Sequence, residues 1–332
     1  MTPTHAAQPS SRDEPVHGPL AVRTWAAPDP PDHLAAIATA QGAAKLAHAA
    51  PLPLPWLGGT SRAEFWRTPR APRRDETPGL SLAWTEDVLF GVLSVEDAPT
   101  GAMRAAERGY RAMTDACARF GFPHLLRVWN WMGAINDGEG DRERYRQFCV
   151  GRARVIPSEP ATGYAAATAI GIPGPAAALH LHFLAARKPG VPVENPRQVS
   201  AWEYPREYGP VAPGFSRAML LDWCDPPLLL ISGTASVVGH ASAHDHTLAQ
   251  LDETLHNIEA VVARAAQRVG GGSASLGAQS LLRVYLRDAA EAGAVTTRLL
   301  ERLGAHVPFM VLHGDICRRE LRVEIEAVHA LG

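Results

Sequence analysis

Apolar and polar positions along the chain repeat in an order that occurs twice. Val88 to Val95 (VLFGVLSV) is an apolar run of strand length, and Gly101 to Phe120 has the spacing of an amphipathic helix. A strand is predicted at His124 to Met132 (HLLRVWNWM), a helix at Arg142 to Val155, and further strands at Ala165 to Ile172 and Ala177 to Ala186. The second series opens with an apolar strand at Pro227 to Ser232. A long helix follows from His246 to Arg268, where Leu248, Leu251, Leu255, Ile258, Val261 and Val262 share one face. Ser280 to Leu286 predicts a strand, Ala289 to Leu303 a helix and Leu321 to Val328 a last strand. The segments LLRVWNWM and LLRVYLRD even begin alike. This self-similarity predicts an α/β (α+β) protein of two repeats, each a mixed sheet with helices packed on one face. The halves are placed at 21–220, with irregular insertions, and 221–332. Residues 1–20, polar and Pro-rich, are expected to be disordered. The Pro-, Arg- and Gly-rich stretch from Pro51 to Pro78 reads as a solvated loop.

Composition narrows the function classes. The chain has 332 residues, 46% hydrophobic and 20% charged, enough apolar material for a sizeable core. Its 32 basic and 34 acidic side chains leave a formal charge of -2, so nothing points to a nucleic-acid partner. No apolar run is long enough to span a bilayer, and the N-terminus lacks the basic-then-apolar pattern of a secretory signal. Cys117, Cys149, Cys224 and Cys317 form no CxxC pair and no Cys/His cluster, so free thiols in a cytoplasmic protein are expected. Oligomeric state stays open, and two repeats in one chain are compatible with a monomer.

Three stretches mix polar residues with Gly and Pro: Arg144 to Arg152, Glu194 to Arg217, and Ile231 to His240. The first two supply arginines and tyrosines, which suit a small dicarboxylate because the guanidinium fork binds a carboxylate with two parallel hydrogen bonds. From composition alone, surface salt bridges account for the same residues. Arg144 and Arg146 point in different directions on a helix, so one at most faces a pocket, and Arg146 is preferred. The third stretch, small residues after a strand, would let backbone N–H groups approach a ligand, or is simply a tight turn. It lacks the Gly-Lys-Ser/Thr ending of a phosphate loop. His240, His244 and His246 read as a polar loop before a metal site. In the last strand, alternation sets Leu321, Val323 and Ile325 against Arg322, Glu324 and Glu326. A glutamate there is either solvent-facing or, if buried, a general acid with a raised pKa.

The strings RYRQFCVGR (144–152), ENPRQVSA with YPREYGPVAPGFSRA (194–218), SGTASVVGH (232–240) and ICRRELRVEIEA (316–327) together resemble the chorismatases, in the family's order. The half from about Leu228 is also similar to the wider RidA/YjgF superfamily, which implies a pocket between sheets. RidA deaminases carry an arginine shortly after a proline in the segment before the last strand. This chain reads Pro308-Phe309-Met310-Val311 there, which counts against imine deamination. The resemblance implies chorismate as substrate, pyruvate release without cofactor or metal, and Glu324 as the catalytic acid. It implies substrate contacts from Arg146, Arg152, Arg206, Tyr208 and Arg217. Cys317 resembles the branch of the family that yields 3-hydroxybenzoate. Ala235, after the Ser-Gly-Thr turn, looks more like the branch that yields a dihydroxycyclohexadiene carboxylate. The 3-hydroxybenzoate branch is favoured because a thiol offers a polar group and a methyl does not. A non-catalytic metabolite-binding module is the alternative of another class.

Overall fold

A computed structural model of the chain describes residues 18–24, 33–40, 48–97, 101–157 and 163–332. Near the N-terminus, β1 (Ala21–Thr24), β2 (His33–Ala38), β3 (Ala49–Pro51) and β5 (Ala63–Arg67) form a small sheet in the order β1-β5-β2-β3, while β4 (Trp56–Gly59) pairs elsewhere. The first large sheet takes β6 (Arg73–Thr77), β7 (Leu80–Trp84), β8 (Val88–Glu96), β9 (His124–Gly133), β10 (Ala166–Ile172) and β11 (Ala178–Ala186), with helices α1 (Gly101–Phe120) and α2 (Arg144–Ala153). The second takes β12 (Val191–Val193), β13 (Ala218–Leu221) and β14 (Leu228–Ala235). A small hairpin of β15 (Val237–Val238) and β16 (Ala241–Ser242) follows. Then come α3 (Thr247–Arg268), β17 (Ser280–Leu286), α4 (Ala292–Leu303), β18 (Phe309–His313), β19 (Asp315–Ile316) and β20 (Val323–Ala330).

The repeat read from the sequence is present as a repeated topology. The first sheet runs β10-β9-β11-β8-β7-β6 and the second β18-β17-β20-β14-β13-β12, with β19 added to the edge of β10 and β4 to the edge of β18. In each, the one parallel pair of the repeat, β9 with β10 and β17 with β18, is joined across a helix. Helices α1 and α2 bury their apolar stripes on the outer face of the first sheet, and α3 and α4 on that of the second. The two inner faces and the small sheet enclose a third core containing Trp66, Trp129, Trp131 and Tyr285.

Several expectations change. Residues 1–17 lie outside those described; of the expected disordered segment, Leu20 is placed and buried. The expected loop from Pro51 to Pro78 contains β4, β5 and β6. Strand β5 is buried on both faces, so its sequence, AEFWR, shows no alternation, and its glutamate masks a core strand. Strand β4 reaches β18 because Gly59, at φ +113°, has no side chain; a Cβ there would lie 2.4 Å from the Phe309 carbonyl oxygen. Strand β18, unpredicted, is five residues long and largely buried.

The inner core contains four charges. Glu326 of β20 accepts hydrogen bonds from Arg127 at 2.6 Å and Trp129 Nε1 at 3.0 Å, and from the Thr168 hydroxyl. Arg283 of β17 lies 2.7 Å from the other Glu326 oxygen and forms a two-pronged pair with Glu64 of β5, which also accepts from Trp66 Nε1 at 2.9 Å. All four are almost fully buried, and two positive charges balance two negative ones. Breaking a buried pair from one side leaves an uncompensated charge and costs about 3–5 kcal/mol. Glu64→Ala is therefore expected to lower the unfolding free energy by roughly that amount in urea titrations; a loss under about 1 kcal/mol would show that the core tolerates Arg283 without this partner.

Candidate active site

The two large sheets meet at β10 and β14. Antiparallel pairing of β14 with β20 slips between Ile231 and Thr234, and the irregularity turns Ser232 and Gly233 towards β10. The Ser232 hydroxyl accepts from the Ala167 N–H at 2.9 Å and donates to the Ser216 carbonyl at 2.6 Å. The Gly233 N–H donates to the Thr168 hydroxyl at 2.9 Å. The small residues of the SGT string thus dock the sheets inside a strand rather than forming a loop after it. A cavity of about 540 Å³ opens beside this seam.

Glu324 lies on its floor, opposite Ala235 on β14 and Tyr285 on β17. Its side chain occupies the space a Cβ on Gly233 would need, since that atom would fall 2.0 Å from Glu324 Oε1. Glu324 is 5% exposed, so the solvent-facing alternative for this strand face does not hold: the polar face of β20 looks into the space between the sheets. Burial foremost, then the negative charge of Glu326, pushes its carboxyl up to about 8, against the opposing pull of Arg127 and Arg217. At neutral pH it is predominantly a protonated acid. Cys317 also lines the cavity, and burial, with Glu324 adding to it, pushes its thiol far up, so it stays a neutral S–H.

Five arginines stand around this acid, together with Glu139, Glu143, Glu207 and Glu320. Arg152 (α2) and Arg217 are buried and line the cavity, each with an Nε that has no hydrogen-bond partner. Arg217 Nη2 donates to the Val199 carbonyl at 2.8 Å and the Tyr204 hydroxyl at 2.7 Å. Arg146 lines the cavity, 4.0 Å from Asp141, whereas Arg144 turns away to Asp97, as the helix spacing required. Tyr208 lines it too, 3.2 Å from His240 Nδ1. Arg206 does not. Its exposed guanidinium is held at 2.9 and 2.5 Å by Asp141, outside the cavity lining where a substrate contact was expected. Asp141 and solvent already satisfy it, and the short 3₁₀ turn that carries it points it outward.

Arg318, not marked by its sequence pattern, stacks its guanidinium 4.0 Å over the Tyr208 ring and donates to the His240 carbonyl at 2.8 Å, leaving a buried Nη2 without a partner. It sits beside Cys317 in the same string, which was the available signal. Tyr145 and Tyr204 were likewise inside the polar stretches. Thr168 and Asn130 also line the cavity from strands, where nothing in their spacing marks them. His244 lies 3.6 Å from Glu253, apart from His240, and among the described residues no group of three His, Cys, Asp or Glu side chains is arranged to hold a metal ion. Among the same residues no helix is long and apolar enough to cross a membrane.

Comparison with known proteins gives a consistent result. Residues 64–185 match the family model described as chorismatase FkbO/Hyg5-like, N-terminal. A chorismatase of Streptomyces rapamycinicus is 36% identical over 294 residues, covering 81% of this chain and 83% of its own. A 3-hydroxybenzoate synthase of Streptomyces hygroscopicus is 37% identical over 278 residues, 80% of this chain and 81% of its own. A crystal structure of a chorismatase superposes with a TM-score of 0.76 at 27% identity, over 96% of this chain and all of that one.

The raised pKa has a stability consequence. The folded state holds the Glu324 proton to about pH 8, the unfolded chain only to the ordinary carboxylate range. Its contribution is therefore fully present below the unfolded value and is lost as pH rises through the folded one. Relative to Glu324→Gln, the wild type is expected to lose stability steadily between about pH 4.5 and 8, as read by urea unfolding at several pH values. A difference that stays flat across this window would mean that Glu324 ionises normally.

Proposed function

This chain belongs to the chorismatase family, and we propose that it cleaves chorismate to pyruvate and 3-hydroxybenzoate, with Glu324 as the proton donor. The observation that carries the reading is a buried carboxylic acid, neutral at physiological pH, on the floor of a cavity where Arg152, Arg217 and Arg318 each keep a buried guanidinium nitrogen without a hydrogen-bond partner.

Chorismate is a dianion with a vinyl ether joining its enolpyruvyl group to a cyclohexadiene ring. Arg152, Arg217, Arg318 and Arg146 supply charge for its two carboxylates, and binding them fixes the terminal methylene against the acid. Glu324 transfers its proton to that carbon, converting the vinyl ether to an oxocarbenium ion, and becomes a carboxylate. Arg127 and Arg217, the charges already drawing on Glu324, stabilise that carboxylate. Water adds to the oxocarbenium carbon and returns a proton to Glu324, and the resulting hemiketal collapses to pyruvate and the ring hydroxyl. Loss of one water from the ring framework, balanced against the water taken up by the pyruvyl carbon, gives 3-hydroxybenzoate with no net consumption of water. Retaining the water on the ring side gives the dihydroxy acid.

Cys317 favours the aromatic branch, because its neutral S–H beside Glu324 can exchange a hydrogen bond with the ring after the first protonation. The 37% identity to a 3-hydroxybenzoate synthase supports the same choice. One observation favours the dihydroxy acid as a second reading: the Ala235 methyl stands directly across from Glu324. Imine deamination lacks support, since the apolar residues after Pro308 are buried in β18.

Glu324→Gln is expected to fold and to lose about 10²–10⁴-fold in pyruvate release from chorismate, the usual size of a general-acid contribution; activity within threefold of wild type would remove Glu324 from the role. Arg152→Ala should lower kcat/KM by roughly 10–150-fold, the range for a charge-assisted hydrogen bond to carboxylate, while Arg206→Ala changes it less than about threefold; the reverse order would return Arg206 to the substrate. Cys317→Ala should still release pyruvate but shift the ring product towards the dihydroxy acid, as read by chromatography and mass. An unchanged product ratio would make Cys317 a packing residue.

A further inference from the structure

A second cavity, of about 360 Å³, lies behind the wall of the first. One of its sides is a face of α1, where Tyr110, Thr114, Cys117 and Ala118 recur at three- and four-residue spacing. Leu125 and Val128 of β9 form another. Arg152 and Ala167 line both cavities and so form the partition between them. Arg152 is the one charged residue among the described residues lining the second. It is 6% exposed, its Nε has no hydrogen-bond partner, and no described carboxylate pairs with it. Gly214 leaves the room that the Arg152 guanidinium and the Tyr164 ring fill, since a Cβ there would sit 2.6 Å from Arg152 Nη2 and 2.4 Å from the Tyr164 ring.

A buried guanidinium without a counter-ion among the described residues is costly, and an anion on either side of the partition relieves the cost. On the far side the charge permits one carboxylate only. The other described lining residues are apolar or carry neutral polar groups: burial pushes the Cys117 thiol up to about 12, and the Tyr110 hydroxyl donates to Asn130 Oδ1 at 3.0 Å. We propose that this cavity binds a small aromatic monocarboxylate, its carboxylate on Arg152 and its ring against α1 and β9, and that occupancy weakens substrate binding in the active site. Two anions then compete for one guanidinium, so the coupling is negative and reciprocal. That the physiological occupant is the ring product of the reaction rests on the functional reading above; the site itself does not.

Titration of the full chain with 3-hydroxybenzoate by calorimetry is expected to show two sites. Filling the second cavity with Thr114→Phe or Ala118→Phe, on the α1 face away from the substrate, should abolish one site and leave kcat/KM for chorismate within about twofold. Product inhibition should change from mixed in the wild type to purely competitive in the filled variant. Chorismate binding should weaken by about fivefold or more when the second cavity is saturated, a typical allosteric coupling. A single site in the wild type, or two sites that survive filling, would overturn the proposal. If the filled variants do not fold, crystals of the wild type soaked in 3-iodobenzoate decide it: an anomalous iodine peak between α1 and β9 supports the site, and a peak in the active site alone refutes it. Two sites on a chain that releases no pyruvate from chorismate would leave this cavity standing and remove the functional reading instead.

Discussion

Four charges inside the protein hold one another there. Glu64, Arg127, Arg283 and Glu326 come from three sheets, and each would be prohibitively costly to bury alone. Together they are neutral, share hydrogen bonds with Thr168, Trp66 and Trp129, and fix how the small sheet and the two large sheets meet. An apolar core could fill the same volume, but it would tolerate sliding of one inner face over the other. A lattice of directed bonds does not, and the active-site cavity opens immediately beside it.

That placement also gives Glu324 its chemistry. It stands two residues from Glu326 on the same strand face, within the field of Arg127 and Arg217 as well. The arginines alone would make it a strong acid, ionised at neutral pH. Because Arg127 is already engaged by Glu326, desolvation wins and the proton stays. A cavity lined by arginines can therefore hold an undissociated acid at its floor, as the proposed protonation of the enol-ether carbon needs. Thr168 links the two tasks, donating to Glu326 while accepting the Gly233 N–H at the strand irregularity that makes room for the Glu324 side chain.

The repeated topology explains where the cavity lies. Each repeat covers its outer face with its own helices and leaves the inner face to the other. The two sheets differ where they touch. The first contributes α2 with Arg146 and Arg152, and the second contributes the acid and the SGT segment. The repeated topology supplies the frame, and the differences between the two halves where they touch supply a cavity that neither half lines alone.

Local spacing by itself determined the helices and most long strands, because an amphipathic period of 3.6 or an apolar run reports its own burial: α1 and α3 fall where the pattern placed them. The resemblance of the polar strings to the chorismatases, rather than spacing, pointed to Glu324, Cys317, Arg146, Arg152, Tyr208, Arg217 and Ala235, all of which line one cavity. What local spacing could not determine is any property set by residues distant in the chain. Strand β5 is interior only because Arg283, 219 positions later, neutralises Glu64. Arg206 is excluded because Asp141, 65 positions earlier, captures it, and Arg318 is included because the Tyr208 ring lies beneath it. Whether a charge faces water, a substrate or a counter-charge is a question of what surrounds it in space, and only the tertiary structure decides that.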